Sequence, residues 1–500
     1  MLNLLSVSVS DWFSSVGAAL SSAGEAIYGV FEEIVLFIYG IFNNAVISIP
    51  TGSGNKLEIS LLVIILVAMG IFFTVRTRFL QVRHFPNMIR TVTEKSGKKE
   101  KKALSGWQAL IVSTATRVGM GNLAGVVAAI TVGGAGAVFW MWVTAIVGSA
   151  TAFVEAVLAQ KYKERDPLYG GYRGGPAYYI HAFMEKIGKK KLKKSFLAVL
   201  FAISGLVCWC GISQVVGNSV TEAVEAQFKI EPIYTITVLV ALAAVIVLRK
   251  NATVKVLDIM VPVMAGAFFL ITLVIIFINI TKIPGVFGRI FAEAFGIREM
   301  AGGGIGAVIM AGVQRGLFSN EAGSGSAPCA AAAADTDHPA KSGLMQSLGV
   351  FIDTLVICSC TAFLILLVPS EVTGGLGGMS LLQTAMNYHL GDFGGIFITV
   401  TLWLFAFSTF IGVLFYARSN VAYVFGDKMK YQTMFKIFAL LMLFIGGLAA
   451  YEAVWALSDV GIALMTVFNA IAIIPMCKEA LEVMRDYEAM RKVPKAEATE

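Results

Sequence analysis

The chain has 500 residues, 57% of them hydrophobic and only 14% charged, against about 25% charged in a soluble domain. With a mean hydropathy of +0.77, this excludes an ordinary soluble fold and predicts an all-α, polytopic integral membrane protein. The net charge of +7 does not mark a nucleic-acid binder, because Lys and Arg gather in loops beside apolar runs, where they set orientation.

Residues 1–56 hold no Lys or Arg before Lys56, so the charged start of a signal peptide is missing. The segment is expected on the extracytoplasmic side. Within it, 27–48 is apolar but contains Glu32 and Glu33, which suits an interfacial helix better than a span. Residues 57–104 read as a leading transmembrane helix, Leu57 to Val75, followed by a cytoplasmic loop rich in Lys and Arg.

Residues 105–280 are expected to form a first repeat. It has an interrupted apolar segment at 107–130 and spans at 136–160, 195–216, 233–249 and 256–280. The loop 161–194 returns to the basic side with Lys161, Lys163, Arg165 and Lys189-Lys190-Lys191. Residues 281–476 read as a second repeat, interrupted at 302–330 and continuing through spans at 343–368, 395–425, 435–451 and 455–475. The loop 281–300, with Lys282, Arg289 and Arg298, is a local exception to the charge alternation. Residues 477–500 form a basic tail. The count is about eleven transmembrane helices, one leading helix plus five and five. An odd number of spans per half inverts the second repeat relative to the first. The reading is a multi-pass protein of the cell membrane, with its N-terminus outside and its C-terminus inside.

The six cysteines, Cys208, Cys210, Cys329, Cys358, Cys360 and Cys477, lie in apolar runs without neighbouring His or carboxylate ligands. They read as small buried hydrophobes rather than metal ligands or disulfides.

The two interruptions share a pattern. Arg117-Val-Gly-Met-Gly-Asn122-Leu-Ala-Gly125 and Arg315-Gly-Leu-Phe-Ser-Asn320-Glu-Ala-Gly323 each place Asn five residues after Arg, then Ala-Gly after one more. Helices broken at corresponding places in two halves point to the binding site of a secondary transporter. A break frees backbone groups, which are costly in a membrane unless they line a cavity or bind something. Freed N–H groups suit a carboxylate and freed carbonyls suit a cation such as Na⁺. Asn122 and Asn320 can offer oxygen to a cation or ammonium, or NH₂ to a carboxylate.

The charges assigned to the spans are Arg117, Glu155, Arg315 and Glu321. They read as a gate or substrate counter-charge, or as structural pairs, Arg315 with Glu321 and Arg117 with Glu155. Gln214 in an apolar stretch has either a pocket role or a helix–helix hydrogen bond. Ser408 and Thr409 place two hydroxyls in an apolar helix, where bonding back to the same helix is the bland alternative.

At these residues the sequence resembles the alanine/glycine:cation (sodium) symporter family. The likeness rests on Gly119-x-Gly-Asn-x-Ala-Gly-Val126, Phe139-Trp-Met-Trp-Val-Thr144, Gly174-Gly-Pro-x-Tyr-Tyr-Ile180, Arg315-Gly-Leu-Phe-Ser-Asn-Glu-Ala-Gly-x-Gly-Ser-Ala-Pro328, Phe351-Ile-Asp-Thr354 and Ala406-Phe-Ser-Thr409. The resemblance implies a leucine-transporter-type fold and Na⁺-coupled uptake of small neutral amino acids by alternating access. It implies a substrate site at Gly119, Met120, Gly121, Asn122, Gln214, Phe318, Ser319, Asn320, Thr409 and Val413. By the same analogy Na⁺ is held by carbonyls of Ala115 and Val118 and hydroxyls of Ser408 and Thr409. H⁺ is the alternative coupling ion. The chain departs from the family pattern where Met120 replaces Thr and where Gly412-Val413 replaces Gly-Trp.

The alternatives are an amino-acid-sensing transceptor and a passive channel, neither of which concentrates substrate. An enzyme is disfavoured because the spans hold no His/Asp/Glu cluster. The expected partners are a small neutral amino acid and membrane lipid, with no nucleic acid and no obligate protein partner.

Overall fold

A computed structural model describes residues 33–50, 56–94, 104–249, 252–296, 304–449 and 451–492. Part of the expected interfacial helix, 27–32, lies outside them. What is described is α1 (Glu33–Asn43), followed by an antiparallel hairpin of β1 (Ala45–Pro50) and β2 (Lys56–Ser60). The hairpin corrects the first boundary: 57–60 pair as strand. The span begins at α2 (Leu61–Arg76), where the Ser60 hydroxyl accepts from Val63 N and caps the helix. Two short helices follow, α3 (Leu80–Arg83) and α4 (Phe85–Thr93).

The first interrupted segment is α5 (Gly106–Arg117) and α6 (Val126–Gly133), joined by a π-helical turn at Gly121–Gly125. Ser105 and Gln108 start α5 with a reciprocal capping box. Then come α7 (Gly136–Lys161), a minimal β3–β4 hairpin (Glu164–Arg165 with Tyr172–Arg173), α8 (Pro176–Gly188), α9 (Phe196–Phe228), α10 (Pro232–Val247), α11 (Ala252–Ile278) and α12 (Ile283–Ala294). The second interrupted segment is α13 (Ile305–Asn320) and α14 (Pro328–Ala333). It leads to α15 (Pro339–Val350), a π-helical stretch at Phe351–Cys358, and α16 (Ser359–Leu366). The chain closes with α17 (Ser370–Thr373), α18 (Gly378–Leu390), α19 (Asp392–Phe425), α20 (Met429–Gly446) and α21 (Tyr451–Lys492).

Among the described residues, seven helical stretches are long and apolar enough to cross a membrane by length and composition: α7, α9, α11, α15 through α16, α19, α20 and α21. α2 and α10 are shorter apolar helices. The outward stripe Ile259, Val263, Leu270, Val274 and Phe277 leaves α11 with an exposed apolar face, of the kind that marks a membrane or protein contact. All six cysteines are free and buried.

Two seams organise the interior. α9 packs along α19, α20 and α21, and α7 packs along α2, α13 and α15. Small residues permit the closest approach. A Cβ on Gly211 would stand 2.7 Å from Ser458 N, so α9 and α21 meet backbone to backbone.

The last helix runs to Lys492, well past the span expected at 455–475. The start of the supposed tail is therefore helix tied to loops at one end of the bundle. Glu479 takes Lys161 and Lys186, each at 2.6 Å, and Glu488 meets His84 at 2.8 Å.

Lys163, at that same end, donates to the Ala334 carbonyl at 2.7 Å and to Gln160 Oε1 at 2.8 Å. Burial pushes its ammonium down from the ordinary 10.5 to about 8. The unfolded chain therefore binds more protons than the folded one between these values. Stability should rise with pH across that window and carry the full penalty below it. Lys163→Met should flatten the rise, read as the pH dependence of the thermal unfolding midpoint of purified protein. An unchanged slope would remove Lys163 as its source.

Candidate functional site: the meeting of two broken helices

α5 stops because Val118 leaves helical geometry, with φ −76° and ψ 75°. Where the helix restarts, the freed N–H groups find partners within the protein. Asn122 Oδ1 accepts from Gly119 N at 2.8 Å, and Thr409 Oγ1 accepts from Met120 N at 3.1 Å.

The second break is longer. After Asn320 the chain turns through Glu321 at φ 56°, a left-handed conformation unfavourable for a non-glycine residue. Gly323 and Gly325 follow at φ 94° and 86°, and Pro328 opens α14. Asn320 Oδ1 accepts from Ala322 N at 3.0 Å, and Glu155 Oε2 accepts from Gly323 N at 3.0 Å. Asn469 Nδ2 donates to Glu155 Oε1 and to the Gly323 carbonyl. Glu155 thus holds the buried, broken backbone in place; its bonds run to Gly323 and Asn469 rather than to Arg117.

The two breaks touch at Gly121 and Ser319. A Cβ on Gly121 would stand 2.8 Å from Ser319 Cα and 3.3 Å from the Phe318 ring. Asn122 Nδ2 lies 3.3 Å from Ser319 Oγ and 2.8 Å from Asp353 Oδ1. One asparagine therefore links the first break, the second break and the π-helical stretch after α15.

On its other side the first break meets α19. Ser408 Oγ donates to the Ala115 carbonyl at 3.1 Å and to the Phe405 carbonyl at 2.8 Å. Thr409 Oγ1 donates to the Phe405 carbonyl at 3.0 Å. Back-bonding and the cross-contact to α5 therefore coexist. Ala115, Ser408 and Thr409 come together, and Val118 sits just beyond Ala115 with its backbone outside the helical pattern. These are uncharged oxygen donors of the kind a hard cation takes. The Phe405 carbonyl joins them; as a main-chain group, it left no signal in the side-chain pattern.

Two expected site residues point elsewhere. Gln214 turns to α20: its Nε2 is 3.6 Å from Met442 Sδ, and its backbone abuts Gly446. Asn320 lines a small cavity with Leu66, Thr144 and Thr151, facing α2 and α7. Val413 is fully buried one turn beyond Thr409, on the same face of α19.

The charged residues are paired differently from the sequence reading. Arg117, buried, donates to Gln346 Oε1 at 3.1 Å. Arg315 bonds Asp459, and its guanidinium lies 4.5 Å over the Trp455 ring. The Phe318 ring packs at a tilt against Trp455, 4.9 Å between centroids. A cavity of about 540 Å³ opens above, lined by Tyr39, Asn218, Glu222, Gln314, Arg315 and Trp455. Phe318 packs against Trp455, which lines this cavity, and its ring lies close to Gly121 at the meeting of the breaks. Asp353 and Asp459 were missed as functional candidates, although each is an acidic residue within an apolar run, which is the signal that exposes them.

Residues 45–500 match the sodium:alanine symporter family. The chain belongs to that family. It is a multi-pass membrane transporter and not an enzyme. It is 42% identical over 453 residues to the amino-acid carrier protein AlsT of Bacillus subtilis, covering 90% of this chain and 93% of the relative. It is 39% identical over 466 residues to the probable sodium/glutamine symporter GlnT of the same organism, covering 93% of each. Its fold is of the leucine-transporter type, like that of MhsT in complex with L-phenylalanine. That match has a TM-score of 0.53 at 12% identity and covers 75% of this chain and 90% of MhsT. α1 precedes the family match, which takes in the hairpin and every helix after it.

Proposed function

We propose that this protein is a Na⁺-coupled symporter that takes up small neutral amino acids by alternating access, working as two inverted five-helix repeats after one leading helix. The observation that carries the reading is the meeting of the two breaks at Gly121 and Ser319, with the hydroxyls of α19 against the first of them. Substrate sits between the breaks, against Gly119 to Asn122, Phe318 and Ser319. Gln214 and Asn320 contribute by positioning α9 and the second break rather than by direct contact. Na⁺ is carried at the carbonyls of Ala115, Val118 and Phe405 and the hydroxyls of Ser408 and Thr409. Coupling follows from the shared segment: the residues that hold Na⁺ immediately precede those that hold substrate. The 540 Å³ cavity is the entry from outside, with the N-terminus on that side and the basic loops in the cytoplasm.

The substrate pocket is expected to accept more than a methyl side chain. Val413 replaces the bulkier Trp of the family pattern, and Met120 fills the space only with a flexible chain. The name of GlnT, a probable glutamine carrier, agrees with a roomier site in this family. Reconstitution into liposomes with labelled amino acids, with and without a Na⁺ gradient, tests the reading. Uptake should concentrate substrate only with the gradient; gradient-independent equilibration would make it a passive channel. Val413→Trp should shift preference toward glycine and alanine, by about tenfold per methylene excluded. Identical ranking of glycine, alanine, serine and glutamine in both proteins would remove Val413 from the pocket.

A further inference from the structure

α1 (Glu33–Asn43) lies ahead of the family match, yet it borders the outer cavity. Its helical period sorts it into two faces. Val35, Tyr39, Phe42 and Asn43 turn toward the protein, whereas Ile34, Phe37 and Ile41 are exposed. Tyr39, at the middle of the inner face, lines the 540 Å³ cavity beside Arg315 and Trp455.

The two ends of that face are held by different helices and in different ways. Val35, near the start, packs with Ala456, Leu457 and Val460 of α21 in a small apolar cluster separate from the main core. Asn43, at the end, is buried. Its Oδ1 accepts from Gln314 Nε2 of α13, and its Nδ2 donates to the Tyr39 carbonyl at 3.1 Å. Phe42 beside it joins the main core, and the chain runs on into the β1–β2 hairpin, whose β2 packs along α13. These anchor points neighbour an ion pair: Gln314 precedes Arg315, and Leu457 and Val460 flank Asp459. α1 therefore spans the same gap between α13 and α21 that the Arg315–Asp459 bond crosses.

The chemistry of the two ends sets which one can move. Apolar packing is non-directional, so a small patch keeps most of its contact as one surface slides over the other. A hydrogen bond weakens steeply once misaligned, and a buried amide that loses its partner carries the full desolvation cost. The end at α13, with the amide pair, Phe42 and the hairpin, is the fixed one. The end at α21 is the one that slips.

We infer that α1 is an outer lid carried by the second broken helix: it travels with α13 and slides along α21 as the outer cavity opens and closes. The inference rests on the alternating-access reading above and gives a role to a segment outside the family match. Tyr39 is the part of the lid that faces the cavity, and the Arg315–Asp459 pair lies beneath it.

Two tethers test the lid in the full-length protein, each made with a short bifunctional methanethiosulfonate, whose links a reductant removes. The six native cysteines are free and buried, and wild type treated in the same way is the control. Joining Val35→Cys to Leu457→Cys fixes α1 to α21. Na⁺-driven uptake into liposomes should then fall at least about tenfold, as for a blocked lid, and return on reduction. Joining Asn43→Cys to Gln314→Cys fixes α1 to α13, and uptake should stay near that of the reduced protein. Val35→Cys with Val460→Cys replaces the first pair if that pair does not fold. Undiminished uptake with α1 fixed to α21 overturns the lid, as does arrest by the α13 tether. Wild type without Na⁺-driven uptake fails the symport reading instead, before either tether is made.

Discussion

Ser408→Ala should raise the Na⁺ concentration for half-maximal uptake about 10- to 100-fold, while uptake at saturating Na⁺ stays near that of wild type. The removed hydroxyl is one charge-assisted contact to the ion, worth about 1.5–3 kcal/mol. What remains after its removal is tolerable. Ser408 donates only to the Ala115 and Phe405 carbonyls, and a carbonyl that loses one of several partners is less costly than an orphaned N–H. Thr409→Val behaves differently. Its hydroxyl also accepts from Met120 N, so the substitution strands a buried N–H at the restart of the first broken helix. That adds about 1–3 kcal/mol of cost at the substrate end, and maximal uptake should fall along with Na⁺ affinity. Uptake as a function of Na⁺ in liposomes separates the two. If Ser408→Ala leaves the Na⁺ dependence untouched, the cation does not sit on α19.

That pair of outcomes shows which parts of the site the sequence could express. The breaks themselves were legible, because Gly and polar residues in an apolar run have a cost that only a cavity or ligand removes. So were Ser408 and Thr409, two hydroxyls where lipid or packing prefers none. Partners across the bundle were not legible. Arg315 could equally have met Glu321, its near neighbour in sequence, and only the packing of α13 against α21 selects Asp459. Gln214 shows the same limit. α9 is apolar on all sides and largely buried, so periodicity does not say which face a lone polar group occupies. The β1–β2 hairpin and the continuation of α21 were lost for another reason. Hydropathy locates apolar thickness, whereas Leu57–Ser60 is held by strand pairing and the end of α21 by ion pairs such as Lys161 with Glu479.

Gly121→Ala should reduce transport by about 10- to 100-fold and lower thermal stability, whereas Gly125→Ala, four residues on, should leave both near wild type or improve stability. Both glycines belong to the same π-helical turn, so helix propensity favours alanine at each, by up to about 1 kcal/mol. What differs is the space. At Gly125 the added methyl would meet only the Phe318 ring at 3.7 Å, an ordinary contact. At Gly121 it would stand 2.8 Å from Ser319 Cα, a backbone atom of the other broken helix that has no rotamer with which to yield. The two breaks must move apart, at the about 1–3 kcal/mol typical of overpacking. The separation also stretches the 3.3 Å approach of Asn122 to Ser319, so the loss should appear as weaker substrate binding as well as slower uptake. Equal activity in Gly121→Ala and Gly125→Ala would mean that close contact between the breaks is incidental to transport.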